Sequence, residues 1–169
     1  MYHLLLALVA LIGLTPGSSQ QPNRAGLAVY LVQAERPHGG MVYLDELVLE
    51  EPPYLIEDQI VSYDWNSHTI NVIPGALKDQ PEAQEFVVMV GELRLYRGYF
   101  THYHSSRGYF GNPVVYLPYI PTPDGDTATL PRMENQFKIG KWGNEDGDPR
   151  FDKRLYDYLV SSGLLLNED

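Results

Sequence analysis

The chain has 169 residues, 44% of them hydrophobic, and a formal charge of −10, so it is long enough to bury a core of ordinary size. Its basic residues are scattered, which argues against a nucleic-acid partner because neutralising phosphates needs a basic stripe. The lack of cysteine excludes disulfides, thiolate zinc sites, a cysteine nucleophile and a lipid anchor on a lipobox cysteine.

The N-terminus carries an uncharged apolar run, LLLALVALIGL, from Leu4 to Leu14. This run is shorter than the roughly 20 residues that a membrane-spanning helix needs. Gly17 and Ser19 follow at the −3 and −1 positions of a signal-peptidase site. We therefore predict a signal peptide over 1–19, a linker over 20–26 and a single domain over 27–169. The protein is expected to be secreted, periplasmic or in the cell envelope, and an uncleaved N-terminal segment would be its only membrane contact.

The first half of the predicted domain consists of short apolar segments separated by turns. We expect a buried strand over 27–32, a strand over 41–49, a helical turn over 56–61, a strand over 68–73 after a tight turn at 66–67, and a short helix within 74–84. Alternation in the strand over 68–73 should point Ile70 and Val72 inward.

The second half begins with a β-hairpin over 85–100, turned at Gly91-Glu92, with a bulge expected near Gly98. Further strands are predicted over 114–119 and 135–142. A C-terminal helix should start at Asp148-Pro149 and end at Gly163, with an apolar stripe on one side. The stripe comprises Phe151, Leu155, Tyr158 and Leu159. The fold class is therefore α+β: a mostly antiparallel sheet with short helices and a C-terminal helix packed on one face.

A His-x-His pair, His102 and His104, ends the hairpin segment. Residues two apart in a strand point to the same side, so the two imidazoles could bind one cation. A third ligand would have to come from His38, His68 or a carboxylate such as Asp64. Solvent-facing histidines beside a turn are the alternative interpretation.

Two further patterns suggest chemistry but fit structural roles better. Ser105, next to these histidines, could be a nucleophile with a histidine base, although the G-x-S-x-G motif is absent and adjacent serines commonly cap turns. Asn144, Asp146 and Asp148 have the first spacings of a calcium loop, but Pro149 and Leu155 occupy positions that need Gly and Glu.

Aromatic residues are dense between positions 96 and 119. Exposed rings offer a large contact area at low entropic cost, so alternate rings are expected to form a binding surface while the others enter the core. The candidate binding residues here are Tyr99, Tyr103, Tyr109 and Phe110.

Four segments together resemble an uncharacterised family of small exported bacterial proteins, many of them lipoproteins. They are PPYLIEDQIVSYDWNSHTINV, EFVVMVGELRLYRGYF with a following SS, PVVYLP, and NQFKIGKWGNEDGDPRFDKRLYDYLVSSGLL. The family pattern is a YDWxxHxI strand, a GxF…SS loop and a DPR helix start, and the likeness covers about Leu47 to Leu165. It adds Asp64, Trp65 and His68, beside Tyr63, as candidate binding residues, and it implies no assigned activity. His102 and His104 do not belong to the pattern.

The function predicted from these patterns is a non-catalytic binding module of the cell envelope or extracellular space, without a cofactor. Its partner would be an envelope or extracellular protein or a glycan, not a nucleic acid. The alternative is a metal-dependent or serine hydrolase that uses His102, His104 and Ser105.

Overall fold

The computed structural model describes residues 26–33, 42–77, 81, 83–102, 112–117, 135–140 and 147–167. Within these ranges the chain forms nine strands and one α-helix, together with three short 3₁₀ helices. The strands are β1 (Leu27–Leu31), β2 (Leu55–Ile56), β3 (Ile60–Asp64), β4 (Thr69–Val72), β5 (Glu85–Val90), β6 (Leu93–His102), β7 (Val114–Leu117), β8 (Gln136–Gly140) and β9 (Leu165–Leu166). The α-helix is α1 (Lys153–Ser162), and the 3₁₀ helices are Leu44–Glu46, Glu57–Gln59 and Pro149–Phe151.

The strands form one mixed sheet in the order β2-β1-β5-β6-β7-β8-β4-β3-β9. The pairs β6–β7 and β3–β9 are parallel, and the other pairs are antiparallel. The prediction of a mostly antiparallel sheet with a helix near the C-terminus is confirmed in this coarser form. The two parallel pairs were not predicted.

The sheet is strongly curved, because only residues 57–59 separate β2 at one edge from β3 beside the other edge. An extended chain advances at most about 3.6 Å per residue, so Ile56 and Ile60 lie within roughly 14 Å of each other. Glu57 lies in this short link, and its carboxylate accepts hydrogen bonds from the Leu27 amide (2.9 Å) and the Tyr158 hydroxyl. This one side chain therefore joins β1, the link and α1.

The main core fills the inside of the curved sheet. Phe86, Phe100 and Phe137 from β5, β6 and β8 lie there, together with Leu155 and Leu159 of α1. A second, smaller core lies on the other side of β1 and β5, where Val87 and Met89 pack against Leu47. β5 is therefore buried on both faces, which explains its unbroken apolar sequence.

The segment that covers the second core was predicted wrongly as a strand over 41–49. Its described part contains the 3₁₀ helix Leu44–Glu46, and only Leu49 makes an isolated bridge, to Val32. The Arg94 guanidinium donates to the carbonyls of Leu44 and Leu47 (2.7 and 2.8 Å). The basic residues that alternate along β6 thus hold this segment through its backbone carbonyls.

Two other local predictions were wrong. The described residues of 74–84 form turns and irregular chain, without the expected helix. The hairpin bulge lies at Leu95, because Val88 pairs with Tyr96 and Met89 with Arg94. This extra residue turns both Leu95 and Tyr96 into the core. Gly98 instead makes room for the Phe86 ring, whose tip a Cβ at this position would overlap.

The C-terminal helix starts later than predicted. Asp148 caps the 3₁₀ helix Pro149–Phe151, and Asp152 caps α1 by accepting from the Arg154 amide (2.8 Å). α1 ends at Gly163 in the left-handed conformation (φ 72°), as predicted. No helix in the described ranges is both long and apolar enough to cross a membrane.

Candidate functional site

The turn between β3 and β4 carries three of the predicted site residues, Asp64, Trp65 and His68. The Asp64 carboxylate accepts a hydrogen bond from the Ser67 amide (2.9 Å), the usual way in which Asp stabilises a turn. This bond lowers the pKa of Asp64. His68 closes the turn with a positive φ of 51°, a conformation in which His, Asn and Asp are enriched among non-glycine residues.

Five rings meet at this turn and form what we call the ring cluster: Tyr63, Trp65, His68, Phe151 and Tyr156. Trp65 is central, with centroid distances of 5.1 Å to Tyr156 and 5.7 Å to both Phe151 and His68. These contacts are edge-to-face, the geometry that the ring quadrupole favours. The 3₁₀ helix Pro149–Phe151 and α1 thus supply two of the five rings.

The cluster has an outer and an inner part. Phe151 is 54% exposed, and Trp65 and Tyr156 are half-buried. We call these three the outer rings. Beneath them His68 is only 2% exposed, and its ring lies 4.6 Å from that of Phe151. The outer rings therefore cover a buried imidazole.

The two nitrogens of His68 are in different situations. Nδ1 lies 3.0 Å from the Tyr63 hydroxyl, a buried hydrogen bond. Nε2 is also buried, but no described atom hydrogen-bonds to it. Burial lowers the pKa of His68 to about 4, and the nearby Arg150 charge acts in the same direction. The imidazole is therefore neutral at pH 7.

A buried ion pair lies beside this histidine. The Arg150 guanidinium, 7% exposed, binds the Asp148 carboxylate through Nε and Nη2 (3.0 and 2.6 Å) and donates from Nη1 to the Ile139 carbonyl (2.6 Å). Burial alone would raise the pKa of Asp148, but hydrogen bonds from Arg150 outweigh it and the pKa is lowered. Arg150 thus ties the start of the C-terminal segment to β8.

Two tyrosine hydroxyls complete the inner polar groups. Burial raises the pKa of Tyr63 and that of Tyr96, and their mutual proximity adds to the increase at Tyr96. The Tyr96 hydroxyl is buried and interacts with that of Tyr63, but no described residue meets the distance and angle limits of a hydrogen bond to it. Neither phenol ionises at neutral pH.

The predicted binding residues do not all gather at one place. Trp65 and His68 belong to the ring cluster, and Asp64 stabilises the turn that presents them. Tyr99 lies on β6 next to Phe100, so alternation directs it away from the main core, and its hydroxyl donates to the Glu85 carboxylate (3.1 Å). Tyr103, Tyr109 and Phe110 lie outside the described residues.

The metal and hydrolase alternatives also fall mostly outside the described residues. His102 ends β6 opposite Leu117, whereas His104 and Ser105 are not described. Within the described ranges, no three His, Asp or Glu side chains converge as a metal site requires. A site built on His102 and His104 remains a prediction.

Two residues of the cluster were not predicted as functional. Phe151 was assigned to the buried stripe of the helix, and Tyr156 was not singled out. The helix register carried a signal for Tyr156, because it follows Leu155 and so lies off the buried stripe. Nothing in the sequence pairs either residue with Trp65, more than 80 positions earlier.

Comparisons of the chain with protein-family models, with curated protein sequences and with solved structures found no match.

Proposed function

We propose that this protein is an exported, non-catalytic binding module that holds a neutral carbohydrate on its outer rings, Trp65, Phe151 and Tyr156. The observation that carries the proposal is the exposure of Phe151 on top of an ordered edge-to-face array. Large rings that stay partly in water while packed on one another form a rigid, amphipathic platform, and such rings bind at low entropic cost.

The polar surroundings of Trp65 favour a carbohydrate. Asn66 is exposed next to it in the turn, and the exposed Asn167 amide donates to Asp64 (3.2 Å) at the other side. Amide and carboxylate groups can exchange hydrogen bonds with sugar hydroxyls, while the apolar C–H face of a sugar covers a ring. The net charge of −10 disfavours an anionic glycan.

A protein partner is less well supported by this surface. A stable protein interface buries about 800 Å² on each side around a dehydrated centre. The outer rings are three side chains, bordered on α1 by the ion pair between Lys153 and Asp157 (2.6 Å). A short saccharide fits a platform of three side chains better than a protein does.

Two further parts of the proposal concern export and the helix. The apolar segment Leu4 to Leu14 and the resemblance to exported bacterial proteins support export. We also propose that α1 closes one face of the sheet and so fixes Tyr156 beside Trp65. The burial of Leu155 and Leu159 in the main core supports this packing.

Binding is testable by tryptophan fluorescence, since the chain has two tryptophans and Trp142→Phe leaves Trp65 as the only one. The probes are soluble neutral hexasaccharides of the chito, cello, malto and xylo series at pH 7.5. We expect saturable quenching or enhancement with at least one of them. Phe151→Ser should weaken that binding at least tenfold, about 1.4 kcal/mol.

Tyr43→Ser is the matched control, because Tyr43 is an exposed aromatic residue beside the second core, away from the outer rings. It should leave the affinity unchanged. Absence of saturable binding to all four series, or equal weakening by the two substitutions, would refute the carbohydrate proposal.

A further inference from the structure

His68 is the group on which the outer rings rest. Its imidazole contacts Phe151 at 4.6 Å and Trp65 at 5.7 Å, and its Nδ1 is bonded to Tyr63. Because it is 2% exposed, its protonation state decides whether the two rings above it cover a neutral group or an ion.

A protonated His68 would have no favourable arrangement in this position. The imidazolium carries two N–H donors, and only Nδ1 has a partner, the Tyr63 oxygen. The second donor, on Nε2, would be buried without an acceptor among the described residues. Burying an unpaired charge is costly, so the ring must gain access to water when it takes up a proton.

The charged and titratable groups that the structure describes around His68 do not supply a free counter-ion. Arg150 and Lys138, from the 3₁₀ helix Pro149–Phe151 and from β8, oppose its protonation, whereas Asp148 and Asp64 favour it. Both carboxylates already have partners: Asp148 binds Arg150, and Asp64 accepts from Ser67 and Asn167. Burial raises the pKa of Tyr63 and that of Tyr96, so neither phenol carries a charge that could stabilise the imidazolium at acidic pH. Tyr156 contributes a ring contact to Trp65.

The least obstructed way to water leads through the outer rings. Phe151 lies in a three-residue 3₁₀ helix and is more than half exposed, whereas Tyr63 on the other side of His68 is completely buried. Moving Phe151 aside disturbs fewer buried contacts than moving Tyr63. The left-handed backbone of His68 is also an unfavourable conformation that an open turn could relax.

We propose that His68 is an acid-sensitive latch: its protonation opens the contact with Phe151 and Trp65 and disassembles the outer rings. The consequence for ligand release rests on the carbohydrate binding proposed above, but the opening itself does not.

The direction of the pH effect follows from the pKa of His68. The closed form binds the proton less tightly than an opened form, because the pKa is about 4 when the ring is buried and about 6.5 when it is exposed. The closed form is therefore fully favoured above about pH 6.5 and loses stability progressively as the pH falls towards 4. A ligand that requires the closed outer rings would be released over the same interval.

The experiment uses the full chain with Trp142→Phe and follows Trp65 emission and the histidine Hε1 NMR signals from pH 7.5 to 3.5. We expect a reversible change in Trp65 emission with a midpoint between about pH 4 and 6. The Hε1 signal of His68 should titrate over the same range, with a pKa below about 6 and so below the ordinary histidine value of about 6.5. A His68 pKa of 6 or higher would overturn the proposal, and this measurement needs no variant of His68.

The matched variant is His68→Asn, because Asn tolerates the left-handed conformation and does not titrate. His38→Asn is the control for loss of a histidine elsewhere. The fluorescence change in the pH interval 4–6.5 should disappear in His68→Asn and persist in His38→Asn. If His68→Asn keeps the change, the carboxylates cause it and the latch is refuted.

The two proposals fail in different ways. A pH transition of Trp65 without any saccharide binding at pH 7.5 would sustain the latch and refute the carbohydrate site. Saccharide binding with equal affinity at pH 7.5 and at pH 5 would sustain the carbohydrate site and refute the latch.

Discussion

β5 and the turn after β3 both place side chains in the interior, but they are stabilised in opposite ways. In β5, Phe86, Val87, Val88 and Met89 fill two cores with apolar atoms. Around the turn, His68, Arg150 and Tyr96 put polar atoms into the interior, and two of those atoms have no described hydrogen-bond partner. Apolar burial in β5 therefore stabilises the fold. The polar groups buried around the turn lower its stability and have properties that depend on their surroundings.

The largest effect is expected in the apolar region. Phe86→Ala leaves a cavity at the junction of β5 and β6 and should lower the free energy of unfolding by about 4 kcal/mol. Urea denaturation followed by circular dichroism measures this change. Leu93→Ala, on the exposed end of the same hairpin (42% exposed), should cost no more than about 0.5 kcal/mol. Similar losses for both would show that Phe86 is not a core residue.

The next effect tests the ion pair beside the turn. Arg150→Met leaves the buried Asp148 carboxylate without its partner and should cost about 3 kcal/mol at pH 7. Adding Asp148→Asn to the same chain removes the uncompensated charge and should recover at least half of that loss. A double variant as unstable as Arg150→Met would mean that the two side chains contribute independently, contrary to the observed pairing.

The smallest effect separates the two buried tyrosines. Tyr63→Phe removes the hydroxyl that bonds to His68 Nδ1 and should cost about 1 kcal/mol. Tyr96→Phe removes a buried hydroxyl without a described partner. The free energy of unfolding of this variant should therefore be unchanged or slightly higher than that of the original chain. Thermal unfolding of the two variants side by side gives the comparison. If Tyr96→Phe proves the more destabilised of the two, the Tyr96 hydroxyl must have a bond that the geometry lacks.

The sequence was most informative where one local pattern decides the structure. The apolar run over 85–90 with Gly91-Glu92 predicted the β5–β6 hairpin, and Gly163 predicted the end of α1. The sequence was least informative where a distant side chain, and not a neighbouring strand, binds the backbone carbonyls of a segment. The segment over 41–49 looked like a strand, but Arg94 and Arg97 bind carbonyls of its described part, so strand pairing is not needed to satisfy them.

The residues of the candidate site also fall into a group that the sequence predicted and a group that it did not. The residues Tyr63, Asp64, Trp65 and His68 stand out within six positions of the sequence, so their proximity was predictable. Their covering partners Phe151 and Tyr156 were not, because the contact is made only when α1 and the preceding 3₁₀ helix return to the β3–β4 turn. Tyr99 remains a predicted binding residue, because alternation along β6 directs it to the opposite side of the strand from Phe100, away from the main core.

By itself, the sequence determined the strands with continuous apolar runs, the hairpin turn, the helix cap and the location of a polar–aromatic turn. These features depend on neighbouring residues and on backbone preferences, which are local. The tertiary structure alone decided that His68 is buried, that Arg150 opposes its protonation and that Phe151 and Trp65 cover it. Burial and electrostatic interaction depend on which distant segments pack together. No local sequence pattern predicts a contact between residues more than 80 positions apart.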